Sequence, residues 1–394
     1  MVIHRRIKQI LLQAVLIAIV VGLAVLFLSN YIVNISSRNI DIGFGFLDDE
    51  AGFSISQTLI KYDESDTFGR TFFVGVLNTL LASVIGIILA VVLGFFVGLM
   101  RLSKNTLLSQ VAYGYTELLK NIPPLLHVLF WYQVVFLNAL PDFKQSIKIG
   151  SNIYINVRGI TIPEFHTTNL SPAFLIITFL AILTFILMGY MHKRMVLRGN
   201  HFKMWPLQVA VIAVPLLFWF LFHPYTMMIP IIDKFKFSQG ATIRPELFSI
   251  VVALGTYTST YIADIVRSSI IAVPKGQLEA AKSLGFNPVL RLRLIIVPQA
   301  MHTMIPPMTN QFLNIIKNTS LGMAIAYPDL TAVFAGTTLN QTGRALEVMI
   351  IVMLTYLLIS VSTSLFMNWY NGSIINKKGN VLTHDEIEKI GLGL

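Results

Sequence analysis

The chain contains no cysteine at all. That excludes a disulfide framework, thiol nucleophiles and cysteine metal ligands. Charge is scarce too, with Asp, Glu, Lys and Arg together only 12% of the residues. A soluble domain carries about a quarter. No Gly-x-x-x-x-Gly-Lys-Ser/Thr string occurs, so the chain offers no P-loop for ATP. Its eight histidines are scattered, none at a metal-ligand spacing, and neither a metal nor a cofactor of its own is expected.

What fills the chain instead is apolar sequence. Of 394 residues, 55% are hydrophobic, and the mean hydropathy is +0.71. An integral membrane protein follows, all-α and with about eight transmembrane helices. The expected spans are 10–28, 71–100, 110–139, 172–190, 204–222, 246–272, 298–326 and 345–369, the third broken at Pro123-Pro124. The first run exceeds the roughly 7–15 apolar residues of a signal-peptide core, so an uncleaved span is expected. Residues 1–70 then form a first helix with an external segment, and 71–372 a membrane domain with an insertion at about 141–245. Residues 373–394 form a tail. Within the insertion, the alternation from Ser151 to Val157 suggests a hairpin.

The formal charge of +10 is no nucleic-acid signal, because the basic residues lie in short loops between apolar runs. Arg5-Arg6, Arg101 with Lys104, Lys193 to Lys203 and Lys377-Lys378 fall in alternate loops, which places them and both termini in the cytoplasm. The acidic clusters Asp48 to Glu50 and Asp63 to Asp66 fall outside.

One polar stretch interrupts this pattern. Glu279-Ala280-Ala281-Lys282-Ser283-Leu284-Gly285 favours a helix that stops at Gly285, where a positive φ is easily adopted. Asn287-Pro288 turns the chain, and a second helix from Val289 to Val297 is expected to be interrupted by Pro298. Arg291 and Arg293 make its second arm basic. Such an elbow between membrane spans is a docking knob for a cytosolic partner.

These residues resemble the Glu-Ala-Ala loop of permease subunits of bacterial ABC importers. The family pattern, Glu-Ala-Ala, three residues, Gly, nine residues, Ile, any, Leu, Pro, is met by Glu279, Ala280, Ala281, Gly285, Ile295 and Pro298, with Val297 in place of Leu. Val273-Pro274-Lys275-Gly276 precedes it. Further matches point to the polar amino acid subfamily. They are Gly75, Asn78-Thr79-Leu80, Leu119 to Leu126, Tyr261 to Arg267, Pro306 to Leu321 and Tyr327-Pro328-Asp329-Leu330. Lys120-Asn121-Ile122 stands where Arg-Gly-Thr is more usual. The first helix and the inserted pair of spans resemble the larger permease of general L-amino acid transporters. The resemblance implies the type I importer fold, a second permease subunit, two copies of a cytosolic ATPase that uses ATP and Mg, and a periplasmic binding protein in a bacterial inner membrane. The loop would couple the ATPase to the spans. An ion-coupled secondary transporter is the alternative, and it would need paired broken helices in two similar halves.

Charged residues inside spans are costly and usually functional. Asp264 and Arg267, three apart, are placed to neutralise each other on one helix face, as are Glu117 and Lys120. The other reading is that Glu117, Asp264 and Arg267, with Asn121, Tyr257 and Lys317, line a path for a zwitterion. Both readings stand on the sequence.

Overall fold

The computed structural model describes residues 2–37, 43–150, 152–167, 225–233 and 237–376, with scattered positions from 180 to 217. The expected fourth and fifth spans, the basic turn between them and the C-terminal tail lie largely or wholly outside the described residues. Two compact units emerge, Met1–Phe136 with Glu246–Leu394, and Leu137–Pro245.

The first unit is helical. Helix α1 covers Val2–Ser37, α2 Phe68–Arg101, α3 Thr106–Lys120 and α4 Pro124–Leu129. Helix α5 covers Pro245–Ile271, α6 Lys275–Ser283, α7 Pro288–Arg291, α8 Val297–Asn318, α9 Leu339–Thr342 and α10 Ala345–Asn376. Among the described residues, four stretches are long and apolar enough to cross a membrane: Leu11–Asn34, Phe68–Arg101, Pro245–Ile271 and Ala345–Gly372. They match the expected spans 2, 6 and 8 to within three residues, while the first runs six residues beyond the expected end.

Two of the other expected spans are not continuous α-helices. The third is in two pieces, broken as expected at Pro123 and Pro124, which end the helical hydrogen bonding after Lys120. Fifteen residues of α3 reach only about 22 Å, short of a hydrocarbon core of roughly 30 Å. A π-helical stretch, Phe130–Asn138, continues α4. The expected seventh span likewise stops as α-helix at Asn318, and Thr319–Ile325 tightens into 3-10 turns that end on Ala326 at φ 58°.

Helices α2 and α5 touch backbone to side chain. A Cβ on Gly94 would stand 2.6 Å from Cβ of Ile262, and one on Gly98 2.9 Å from the Ala263 carbonyl oxygen. Small residues at this spacing let two membrane helices close up. Ala90, Ile262, Val266, Val273, Ala300, Met304 and Ile315 form the core beneath that contact. A second core gathers Phe46, Phe68, Leu330, Phe334, Val348 and Val352. Phe46, 2% exposed, draws the segment before α2 onto the helices, worth about 1.5–3 kcal/mol for a fully buried side chain of this kind.

The polar residues of α2 tie three segments together. The Asn78 side-chain amide donates to the carbonyls of Gln57 and Pro328, both at 2.9 Å. Tyr327 Oη donates to the Asn78 carbonyl at 2.7 Å, and the Leu330 amide donates to Thr79 Oγ1 at 3.0 Å. Asn78 and Thr79 thus bond to other segments, as buried polar groups in spans are expected to. Ser83 bonds only back to the Thr79 carbonyl.

The second unit carries the β structure. Strands β1 (Ile147–Ile149), β2 (Ile153–Asn156), β3 (Gly159–Ile162) and β6 (Ala241–Ile243) form an antiparallel sheet in the order β1-β2-β3-β6. Strands β4 (Glu164–Thr167) and β5 (Tyr225–Met228) pair separately. The hairpin suggested around 151–157 is therefore one corner of a larger sheet. Its β6 partner lies some 80 residues away in sequence, with Thr161 against Thr242. Alternation along β2 reveals its two faces but not that partner.

Candidate coupling elbow and charged path

The elbow forms as a helix, a left-handed glycine and a second helix. The Gly285 amide donates to the Lys282 carbonyl and the Phe286 amide to the Ala281 carbonyl, each at 3.0 Å. This pair of bonds closes the last turn of α6 around a residue at positive φ, and Gly285 has φ +75°. The Asn287 side chain then accepts the Leu290 amide at 2.8 Å, and Pro288 sits at the first position of α7, where no donor is needed.

Pro298 does not interrupt the second arm. Leu292–Ile296 widens into a π turn that runs directly into α8. The wide turn makes room for a ring and for a missing N–H that an ordinary α turn would not tolerate.

The elbow's small residues divide in their roles. Glu279 and Ala280 face solvent, whereas Ala281 is 3% exposed and packed inside its own chain. Only the first two are open to a partner. Ile295 is half-buried against the core that holds Ala300 and Met304, which ties the second arm to the spans. Pro298 is half-buried as well. Gln277 and Gln299 hydrogen-bond across the base of the elbow. Leu284 and Val289, 74% and 70% exposed, give its tip an apolar surface that the charge pattern did not reveal.

The charges in the helices pair differently from the sequence expectation. Asp264 bonds Arg101 and, at 3.4 Å, Lys120; Arg267 is exposed and has no ion pair among the described residues. A helical spacing of three permits a pair but does not require one. Here Arg101, 163 positions away, reaches Asp264 from the end of α2. The expected Glu117–Lys120 pair does form, at 3.0 Å. Removal of Arg101 by Arg101→Gln should lower the amount of protein in membranes, since hydrogen bonds to charged groups are worth about 1.5–3 kcal/mol. Arg267→Gln should leave that amount unchanged. Quantitative immunoblots of membranes compare the two, and equal losses would mean that the Asp264 partner is misassigned.

Around this network the polar face continues. Tyr115 Oη lies 2.8 Å from Ser259 Oγ, which lashes α3 to α5 a second time. The Asn121 amide donates to the Glu117 carbonyl at 2.7 Å and caps nothing beyond its own helix. Tyr257 and Tyr261 hydroxyls are 3.0 Å apart, with the buried His127 ring 5.6 Å from that of Tyr257. His127 Nε2 lies 2.9 Å from the Leu119 carbonyl oxygen and braces the α3–α4 break. Lys317 is exposed near the end of α8 and has no ion pair among the described residues. Arg101, Tyr115 and His127 are the site residues that sequence reasoning missed, and Tyr261 entered it only within the Tyr261 to Arg267 match. Arg101 was legible only as a marker of the cytoplasmic turn.

The fold and the elbow define a class: a multi-span membrane protein with an exposed helical elbow between two of its helices. Comparison with known proteins identifies it further. Residues 202–376 match the family described as binding-protein-dependent transport system inner membrane component. The chain is 43% identical over 367 residues to YhdX of Escherichia coli (strain K12), named as an amino-acid ABC transporter permease, covering 92% of this chain and 93% of the relative. It is 40% identical over 370 residues to the general L-amino acid transport system permease protein AapQ of Rhizobium johnstonii, covering 93% and 92%. It is 34% identical over 407 residues to the glutamate/glutamine/aspartate/asparagine transport system permease protein BztB of Rhodobacter capsulatus, covering 94% of each. The chain belongs to the amino-acid ABC transporter permeases. It is membrane-embedded and works within a multi-subunit transporter. Nothing in these relatives favours an ion-coupled secondary transporter.

Proposed function

We propose that this chain conducts L-amino acids across a bacterial inner membrane, with both termini in the cytoplasm and the α6–α7 elbow seated on a cytosolic ATPase. ATP and Mg are used by that ATPase, of which the complex holds two copies, and not by this chain. A second permease subunit completes the membrane pathway, and a periplasmic binding protein delivers the substrate. The observation that carries the reading is the elbow itself. Glu279 and Ala280 are presented outward on a capped helix, Gly285 fixes the bend, and Ile295 and Pro298 anchor the second arm to the helices. Closure of the ATPases would push this rigid corner and tilt α5 and α8 together. The polar face of α3 and α5, with Glu117, Asn121, Tyr257 and Asp264, lines the path, and the exposed cations Arg267 and Lys317 contribute positive charge beside it.

The test is reconstitution with the neighbouring ATPase, permease and binding protein. Uptake of labelled L-amino acids into vesicles should require ATP, the binding protein and an intact elbow, and should stop with vanadate. Uptake that survives without ATP but follows an ion gradient would overturn this reading.

A further inference from the structure

Four charges on three helices form one open chain: Arg101, Asp264, Lys120 and Glu117, alternating in sign and summing to zero. Its links are unequal. Arg101 is the anchored end, its side chain 9% exposed, while Lys120, Glu117 and Asp264 are 27%, 37% and 38% exposed. The Lys120–Asp264 link, at 3.4 Å, is longer than the Lys120–Glu117 link at 3.0 Å. It also joins two elements, α3 and α5, that are otherwise tied through Tyr115 and Ser259. Opening it leaves each partner with one protein ion still in place, Lys120 with Glu117 and Asp264 with Arg101.

We propose that the Lys120–Asp264 link is a charge clasp that opens to admit the α-carboxylate and α-ammonium groups of the substrate. The inference rests on the transport function proposed above and assigns the part of the substrate that is read. A zwitterion set into the gap pairs its carboxylate with Lys120 and its ammonium with Asp264, so every charge keeps its number of partners and the net charge stays zero. A lone cation takes the place of Lys120 at Asp264 but leaves Lys120 with Glu117 as its one partner instead of two, and a lone anion does the reverse at Asp264. Losing a charge partner among membrane helices is costly. Selection is thus for the constant end of an amino acid, and the variable side chain is left unread by these two residues. Arg101 and Glu117 act as positioning residues that hold the clasp charges when the link opens.

The test measures equilibrium binding of a radiolabelled mixture of the common L-amino acids to the complete complex in nanodiscs, without binding protein. The competitors are short alkyl amines, which lack the carboxylate, and N-acetyl amino acids, which lack the ammonium. Wild type should be displaced by neither at concentrations where amino acids compete fully. Lys120→Gln should lower amino acid affinity by about tenfold or more and raise the relative potency of amines, as loss of one charge-assisted bond predicts. Asp264→Asn should lower it similarly and favour the N-acetyl compounds instead, and Lys120→Arg should retain most binding. Gel filtration reports assembly, and if Asp264→Asn fails to assemble, the more exposed Lys120→Gln and Lys120→Arg carry the test. Variants that bind amino acids normally, or that weaken binding without changing the ratio of the two competitors, would overturn the clasp. In the vesicle uptake assay described above, a wild-type complex that imports no amino acid of the mixture would overturn the transport function itself, a different result.

Discussion

Gly285→Val should insert and accumulate normally yet lose about tenfold or more of its ATP-dependent uptake. The residue has φ +75°, and nothing lies within 4 Å of where a Cβ would sit. The substitution therefore meets no steric overlap, and its whole effect is conformational. A left-handed backbone costs an L-residue roughly 1–2 kcal/mol, and β-branching makes it worse. The chain can escape by abandoning the two bonds from Gly285 and Phe286 that close α6. Either way α6 swings relative to α7, and Glu279 and Ala280 move from where a partner meets them. The spans are untouched, because the strain sits in an exposed loop. Gly285→Asn should be milder and Gly285→Ala intermediate, since Asn tolerates this region. Subunit retention, ATP hydrolysis and uptake would be measured together on the reconstituted complex. Normal uptake by the Val variant, with hydrolysis still tied to substrate, would remove the elbow as the coupling element.

The elbow was readable because its geometry is local. A helix-forming run, a glycine and Asn-Pro within ten residues dictate the cap, the bend and the restart, with no distant partner needed. The same holds for the glycines of α2, whose spacing marks a contact face without saying what they contact. What escaped was whatever depends on residues far apart in the chain. Asp264 finds Arg101 across 163 positions, and no helical spacing announces that pair. The Lys120–Asp264 link spans 144 positions and was hidden for the same reason. The end of α3 at Lys120 was signalled by Pro123-Pro124, but a hydropathy reading merges it with the apolar run beyond. Ala281 shows a subtler limit. Its type fits a docking surface and a packed interior equally well, and only the fold decides for the interior.

One substitution made at two glycines should have opposite effects. In Gly114→Ala, within α3, the new Cβ meets nothing within 4 Å. Replacing a mid-helix glycine there gains helix propensity, about 0.8–1.0 kcal/mol. Abundance and thermal stability should hold or rise slightly. In Gly94→Ala, the new Cβ would stand 2.6 Å from Ile262 Cβ, 2.7 Å from its Cγ2 and 2.8 Å from the Ser259 carbonyl oxygen. Ile262 and Ser259 are fully buried, and a backbone oxygen has no rotamer to turn away. Helices α2 and α5 must then separate, and the loss exceeds the propensity gain, since overpacking costs about 1–3 kcal/mol or more. The Arg101–Asp264 pair joins the same two helices, so a shift at Gly94 loosens that bond as well. Ile262→Ala would clear only Cγ2 of the three close atoms, so the double variant should recover in part and not fully. Membrane abundance and detergent melting temperature, measured side by side for the three variants, provide the comparison. Equal stability of Gly94→Ala and Gly114→Ala would show that α2 and α5 do not meet backbone to side chain at this point.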